Sequence, residues 1–138
     1  MQVVVDTNVL ISAIFFGGKP ELILESWRTG KLDLLITEEI LSEYVDVLHR
    51  ISEKYPGVDI TKIIPLITKC GILVEPQILN QIICEDPDDD KFIAAALGSS
   101  SKIIITGDKH LLDVSGYSGI EMIKPAEFVK KYLSEQSH

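Results

Sequence analysis

Short apolar runs alternate along the chain with longer segments whose apolar residues recur at helical spacing. The runs are rich in valine, isoleucine and leucine, a composition typical of strands buried on both faces. They predict strands over residues 2–5, 32–36, 72–74 and 102–105, and a weaker strand over residues 121–123.

The segments between these runs have helix signals at their ends. The longest begins at Thr37, and its apolar residues from Ile40 to Ile51 recur at the helical period. Glycine or proline bounds most of the others. The predicted helices run from Thr7 or Asn8 to the Gly17-Gly18 pair, from Pro20 to Trp27, from Thr37 to Ile51, from Ile60 to Lys69 with a distortion at Pro65, from Asp89 to Leu97, through Leu111-Leu112, and onward from Pro125.

Strands that alternate with helices predict βαβ crossovers, and therefore a parallel sheet covered by helices on both faces. The expected fold class is α/β, a three-layer α/β/α sandwich around a central parallel sheet. A length of 138 residues with 46% hydrophobic residues suffices for one core, and no linker, repeat or low-complexity tract divides the chain. We expect a single domain over residues 1–138.

No targeting or membrane signal is evident in the sequence. The N-terminus lacks the basic and apolar regions of a signal peptide, and no apolar run approaches the roughly 20 residues that a membrane helix needs. Cys70 and Cys84 have no metal-ligand spacing and have apolar neighbours in sequence, which predicts two free, buried thiols. We therefore expect a cytoplasmic protein that does not contact membranes.

The acidic residues are concentrated in a few segments. The formal net charge is −8, the opposite of the basic footprint of most nucleic-acid-binding proteins. Seven acids lie in segments that the expected topology brings together, and without these seven the net charge of −8 becomes −1. They are Asp6, Glu43, Asp86, Asp88, Asp89, Asp90 and Asp108. Carboxylates held close together repel one another unless a cation lies between them.

Aspartate follows two of the predicted strands. Asp6 comes directly after the first strand, and Asp108 follows the fourth after Thr106 and Gly107. Ligands of parallel sheets bind at the carboxyl ends of the strands, so both carboxylates are expected at one edge. Taken singly, Asp6 is equally well explained as a helix cap and Asp108 as part of a turn.

Two glutamates of the third helix compete for a place at the same edge. Glu43 lies about 60° beyond Ile40 on a helical wheel, at one margin of the apolar stripe. Glu38 borders the opposite margin, near Val45. Periodicity alone does not choose between them.

Oxygen-only ligands suit Mg²⁺ or Mn²⁺, ions that use a few carboxylates and keep several waters. One or two such ions can activate a water, orient it toward a phosphodiester and neutralise charge on the leaving oxygen. A cluster of carboxylates is therefore suited to metal-dependent phosphodiester hydrolysis.

Four segments, in this order and spacing, resemble the motifs of PIN-domain nucleases: VVVDTNVLISA, TEEILSEYVDVL, DPDDDKFIAAA and TGDKHLL. The resemblance runs from Gln2 to about Met122 and is nearest to prokaryotic toxin components of toxin–antitoxin pairs, related to the VapC toxins. It implies a Mg²⁺- or Mn²⁺-dependent endoribonuclease and selects Glu43 over Glu38. The catalytic, metal-binding acids that it implies are Asp6, Glu43, Asp89 and Asp108.

The resemblance carries further expectations. Asn8 and Thr106 match polar positions beside the family's site, as supporting hydrogen-bonding residues. PIN toxins dimerise and are silenced by a small antitoxin, which implies a homodimer and an antitoxin partner, with the helix from Val9 to Phe16 as a candidate surface. Many relatives have aspartate where this chain has His110, which puts a second tightly held ion in doubt. We interpret His110 as a polar helix-start residue without a role in metal binding.

The register of the fifth predicted helix distinguishes one aspartate from its neighbours. Counting at 100° per residue, Asp89 lies at the centre of the apolar stripe that begins at Phe92 and Ile93, while Asp88 and Asp90 turn away from it. A charge at the head of a buried face is costly unless it is paired or bound to a metal. Asp89 is therefore the predicted site residue, and Asp90→Asn is expected to be nearly silent in activity compared with Asp89→Asn.

The main alternative function is a non-catalytic PIN module that acts as an RNA- or protein-binding regulator. A haloacid-dehalogenase-type phosphatase would need a second aspartate where this chain has Asn8, and the DPDDD run does not fit a receiver-like domain. A histidine-driven ribonuclease is not expected, because His49 lies on the polar side of its helix and His138 is terminal. The dispersed basic residues are interpreted as solvated surface charges: Lys19, Arg28, Lys91, Lys102 and Lys109.

Overall fold

Five parallel strands form the central sheet of the computed structural model, in which residues 1–133 are described. The strand order across the sheet is β3-β2-β1-β4-β5. The strands are β1 Gln2–Val5, β2 Asp33–Ile36, β3 Ile72–Leu73, β4 Ile103–Ile105 and β5 Glu121–Ile123. All five predicted strands are present, although β2, β3 and β4 are each one residue shorter than expected.

Seven α-helices flank the sheet within the described part of the chain. They are α1 Thr7–Phe15, α2 Lys19–Arg28, α3 Glu38–Ser52, α4 Ile60–Cys70, α5 Asp90–Leu97, α6 Lys109–Leu112 and α7 Pro125–Phe128. A 3₁₀ turn over Pro87–Asp89 precedes α5, and α4 is not interrupted at Pro65. The predicted α/β/α sandwich is confirmed.

The central strand β1 is covered on both faces. Val3 and Val5 face α1 and α2, where they line a small apolar space with Leu10 and Ile23. Val4 is fully buried and faces the opposite side of the sheet, because side chains alternate along a strand. Helix α5 packs against β1, β2 and β4. The side chains of β1 are thus covered by apolar residues on both faces, and only the residue after its carboxyl end reaches a polar cleft.

Gly98, at the end of α5, allows a close approach of two backbone segments. A Cβ atom on this residue would lie 1.9 Å from the carbonyl oxygen of Glu75 and 2.9 Å from the backbone nitrogen of Gln77. The same segment is held by a hydrogen bond of 2.9 Å from the Gln77 N–H to the Ala94 carbonyl. The φ of Gly98 is an ordinary −77°, so space rather than backbone conformation requires glycine here.

The two cysteines differ in environment. Cys84 is buried as predicted, but Cys70 is exposed at the end of α4, so the expectation of two buried thiols is wrong for Cys70. Apolar neighbours in sequence misled the prediction, because only Ile60 and Ile67 of α4 are buried and Cys70 is the last residue of the helix.

Within residues 1–133 no single helix is long and apolar enough to span a membrane, and α1 and α2, bent by 92°, reach such a length only as a pair. His49 is exposed, as expected. His138, the terminal histidine, lies outside the described residues, as do the other residues after 133 in the predicted domain.

Candidate active site

The four acids predicted from the sequence line one cleft at the carboxyl edge of the sheet. Asp6 directly follows β1, Asp108 lies just beyond β4, Glu43 belongs to α3, and Asp89 is the last residue before α5. The predicted supporting residue Asn8 borders the same cleft and is exposed. The structure therefore brings these side chains together, and their catalytic role stays a prediction.

Asp6 is held at the junction of β1, β4 and α1. Its backbone N–H donates to the carbonyl of Ile105 at 3.0 Å, and its side chain accepts from the backbone N–H of Val9 at 2.9 Å. Asp6 is thus the N-cap of α1, a role that the sequence left open, and it also lines the cleft. Burial raises the pKa of Asp6 above its ordinary value, although hydrogen bonds from Thr106 and Val9 oppose this effect.

Thr106 links two of the acids. Its side chain is completely buried, and its hydroxyl donates to a carboxylate oxygen of Asp6. The same hydroxyl accepts from the backbone N–H of Asp108 at 2.9 Å. Asp108 in turn caps α6 by accepting from the backbone N–H of His110 at 2.8 Å. This arrangement fits the supporting role that the resemblance implies for Thr106.

Glu43 is held from two sides. The hydroxyl of Thr7 donates to one carboxylate oxygen, and the ammonium of Lys91 pairs with the other. Glu38 is exposed and lines a separate depression beside Leu73, so of the two competing glutamates only Glu43 reaches the cleft.

Asp89 is the least satisfied of the four acids. Its side chain is 14% exposed, and its Oδ2 atom is buried without a hydrogen bond. The pKa of Asp89 is raised to about 6 by burial first, and then by the negative charges of Asp108 and Asp86. His110 opposes this rise, with its Nδ1 at 3.5 Å from Oδ2. A buried, unpartnered carboxylate oxygen is an atom that a cation would stabilise.

Comparison with known proteins agrees with this geometry. Residues 2–110 match the model of the PIN domain family. The chain belongs to the PIN-domain family. The uncharacterized protein MJ1680 of Methanocaldococcus jannaschii is 35% identical to it, over 96% of this chain and 92% of that protein. No solved structure matches the chain.

PIN domains are generally nucleases and typically bind divalent metal. The donors of this PIN domain fit such an ion, because carboxylate oxygens are hard ligands and the Oδ2 atom of Asp89 lacks a donor. Asp6, Glu43, Asp89 and Asp108 would hold the metal.

Lys91 pairs with two acids that line the cleft of the PIN domain, and its interpretation as a solvated surface charge is wrong. Its side chain is only 6% exposed, and its Nζ atom pairs with Asp88 at 3.1 Å as well as with Glu43. A lysine is buried at low cost only when its charge is paired. The other four dispersed basic residues are exposed, as predicted: Lys19, Arg28, Lys102 and Lys109.

Asp90 has a structural role that the sequence did not indicate. Its two carboxylate oxygens accept from the backbone N–H groups of Ile83 at 2.9 Å and of Cys84 at 2.8 Å. The helical register correctly turned Asp90 away from the cleft, but it could not show a loop folding back onto the start of α5. Asp90 is therefore expected to contribute to stability, while the expectation that Asp90→Asn is nearly silent in activity stays a prediction.

Two further residues position the site without a signal in the sequence. The hydroxyl of Thr7 donates to Glu43, although the sequence indicated Thr7 only as a possible start of the first helix. Tyr44 is completely buried, and its hydroxyl donates to the Val5 carbonyl, which ties α3 to the end of β1. The apolar stripe predicted that Tyr44 is a core residue, but it did not predict the hydrogen bond that the hydroxyl makes.

Replacing Lys91 by methionine is expected to lower the free energy of unfolding of the metal-free protein by about 1–3 kcal/mol, because Glu43 and Asp88 lose a charged partner. Mg²⁺ is expected to stabilise this variant more than the wild type, since it restores a positive charge beside Glu43. Urea unfolding with and without Mg²⁺ measures both effects. The control is Lys102→Met at an exposed lysine, and equal effects of the two substitutions would contradict a structural role for Lys91.

Proposed function

We propose that this PIN domain is a cytoplasmic Mg²⁺- or Mn²⁺-dependent endoribonuclease that hydrolyses the phosphodiester bonds of RNA. The observation that carries the proposal is the convergence of Asp6, Glu43, Asp89 and Asp108 in one open cleft. The membership of the chain in a family of nucleases supports it.

A metal ion held by the four acids would neutralise charge at the phosphate and lower the pKa of a water bound to it. The chain contributes positioning. Thr106 fixes Asp6 relative to the backbone of Asp108, while Thr7 and Lys91 hold Glu43 from two sides. These contacts orient the acids before a substrate binds, and preorganised charge reduces the reorganisation needed in the transition state.

The rim of the cleft offers groups that suit an RNA backbone. Arg50 lines it one helical turn beyond Val47, on the face of α3 that presents Glu43. A guanidinium at this position can pair with a phosphate next to the scissile bond. The exposed amide of Asn8 can donate a hydrogen bond to the substrate.

Cleavage of a single-stranded RNA by the purified protein tests the proposal. We expect turnover with Mg²⁺ or Mn²⁺, a loss of at least about 100-fold after chelation, and recovery when metal returns. An Asp6→Asn variant purified in parallel measures contaminating nuclease. Turnover that survives thorough chelation would contradict the mechanism. RNA binding without cleavage in any metal would instead support the non-catalytic regulator.

We further propose that the protein is the toxin component of a toxin–antitoxin pair. The likeness of its four motifs to those of the VapC-like toxins supports this role. Induced expression is expected to arrest bacterial growth, whereas the Asp6→Asn variant is not, and co-expression of the product of the neighbouring reading frame is expected to restore growth. Normal growth under strong expression of an active nuclease would argue against a toxin.

A homodimer is part of the same proposal. Phe16, at the end of α1, is 60% exposed, and its ring centroid lies 5.2 Å from that of Tyr55. Phe15 packs against the core, so only one of the adjacent phenylalanines is available to a partner. Exposed aromatic side chains of this kind are enriched in protein interfaces. A monomer by light scattering across micromolar concentrations would exclude the dimer.

A further inference from the structure

His110, the second residue of α6, lies against the acidic cleft. Its Nδ1 atom is 3.5 Å from Oδ2 of Asp89 and 3.7 Å from Oδ1 of Asp108. Its Nε2 atom is 3.9 Å from a carboxylate oxygen of Glu85. The interpretation of His110 as a polar helix-start residue does not account for its contacts with Asp89 and Asp108, two of the acids that would hold the metal.

His110 and two aspartates form a group with the spacing of metal ligands. One ligand atom from each of Asp86, Asp89 and His110 lies within 4.8 Å of the other two. Ligands that share one ion, with bonds of about 2.1 Å, lie roughly 3 to 4 Å apart, so small side-chain rotations suffice. A hydrogen bond of 3.0 Å from the backbone N–H of Asp88 orients the Asp86 carboxylate.

A second observation points to a cation in this group. The Oδ2 atom of Asp89 is buried and accepts no hydrogen bond, and of the three carboxylate oxygens beside the imidazole it lies nearest to a ring nitrogen. A buried carboxylate oxygen is stabilised either by a donor at hydrogen-bond distance or by a metal ion. At 3.5 Å the imidazole nitrogen is too far for a good hydrogen bond, which leaves this oxygen without a donor.

We propose that His110 is a nitrogen ligand in a mixed site with Asp86 and Asp89, and that this site binds Mn²⁺ in preference to Mg²⁺. The inference rests on the proposed metal-dependent function and deepens it by naming the preferred ion. Imidazole is a common ligand of transition-metal ions, whereas Mg²⁺ favours oxygen and retains its waters. A site with four carboxylates alone would have no such reason to discriminate between the two ions.

The test compares His110→Asn with His49→Asn, a matched substitution at an exposed histidine of α3. The full-length protein is freed of metal and loaded with one and then two equivalents of Mn²⁺. Electron spin-echo envelope modulation then detects nitrogen bound to the ion. We expect ¹⁴N modulation in the wild type and in His49→Asn, and its loss in His110→Asn.

Titration calorimetry measures the preference in the same three proteins. His110→Asn is expected to weaken Mn²⁺ binding by about tenfold or more and Mg²⁺ binding by less than about twofold. His110→Asp, which replaces the nitrogen donor with oxygen, is expected to bring the two affinities closer together.

The outcomes separate this inference from the proposed function. Mn²⁺ that binds without nitrogen modulation overturns the His110 ligand and leaves the imidazole as an ion-pair partner, while the metal-dependent nuclease stands. Equal weakening of Mn²⁺ and Mg²⁺ binding overturns the preference. A protein that binds neither ion overturns both the inference and the proposed function.

Discussion

Replacing Asp89 by asparagine is expected to slow RNA cleavage by about 100-fold or more, equivalent to about 3 kcal/mol of transition-state stabilisation. The same substitution is expected to raise the melting temperature of the metal-free protein. Activity falls because a carboxylate that would hold the metal becomes a neutral amide. Stability rises because a buried carboxylate beside two like charges is removed.

The stability effect has a defined pH dependence. The pKa of Asp89 is about 6 in the folded protein, against an ordinary value of 3.8, because of burial and the charges of Asp108 and Asp86. A carboxyl group whose pKa is raised on folding favours the folded state at low pH, and this contribution is lost as the pH rises to about 6. Thermal unfolding at pH 8 in a chelator should therefore show the gain from Asp89→Asn, and unfolding at pH 4 should not.

Two other aspartates provide matched controls. Asp46→Asn, at an exposed position of α3, is expected to change neither activity nor stability. Asp90→Asn is expected to lower the free energy of unfolding by about 1–3 kcal/mol, because a backbone N–H of Ile83 or Cys84 loses its acceptor. If Asp90→Asn slows cleavage as much as Asp89→Asn at a temperature where both are folded, the site assignment is wrong.

Gly98→Ala is expected to destabilise the fold by about 3 kcal/mol or more. The new methyl group would lie 1.9 Å from the carbonyl oxygen of Glu75, and a backbone atom cannot move aside by a change of rotamer. The segment after β3 must shift away from α5, and the hydrogen bond from Gln77 to Ala94 is lost with it.

Urea unfolding measures this loss, and Gly57→Ala is its control. A Cβ atom at Gly57 would meet nothing within 4 Å, so this substitution should be nearly neutral. Equal stability of the two variants would show that the segment containing Glu75 and Gln77 does not pack against the end of α5.

The elements of the fold were predictable because each has a local cause. Valine and isoleucine runs mark strands buried on both faces, and the apolar period after Thr37 marks α3. The order of the strands could not be predicted from local sequence, since it depends on β1 pairing with both β2 and β4. No local pattern specifies such a pairing.

Some residues of the candidate site were also predictable from local sequence, and others were not. Asp6 and Asp108 were predictable from the rule that parallel strands end at one edge, and Asp89 from the register of α5. The place of Lys91 was not, because its partner Glu43 is 48 positions away in the sequence. The acceptor role of Asp90 was not predicted, because it depends on the course of a loop rather than on helical period.

The hydrogen bond between Thr106 and Asp6 joins residues 100 positions apart, and it needs β4 to be seated beside β1. On the ribosome, the N-terminal part of the chain therefore emerges with Asp6 and Glu43 but without Asp108 and the strand that carries it there. The complete set of acids assembles only after translation has passed residue 108. Until then, the proposed active site lacks one of its four carboxylates.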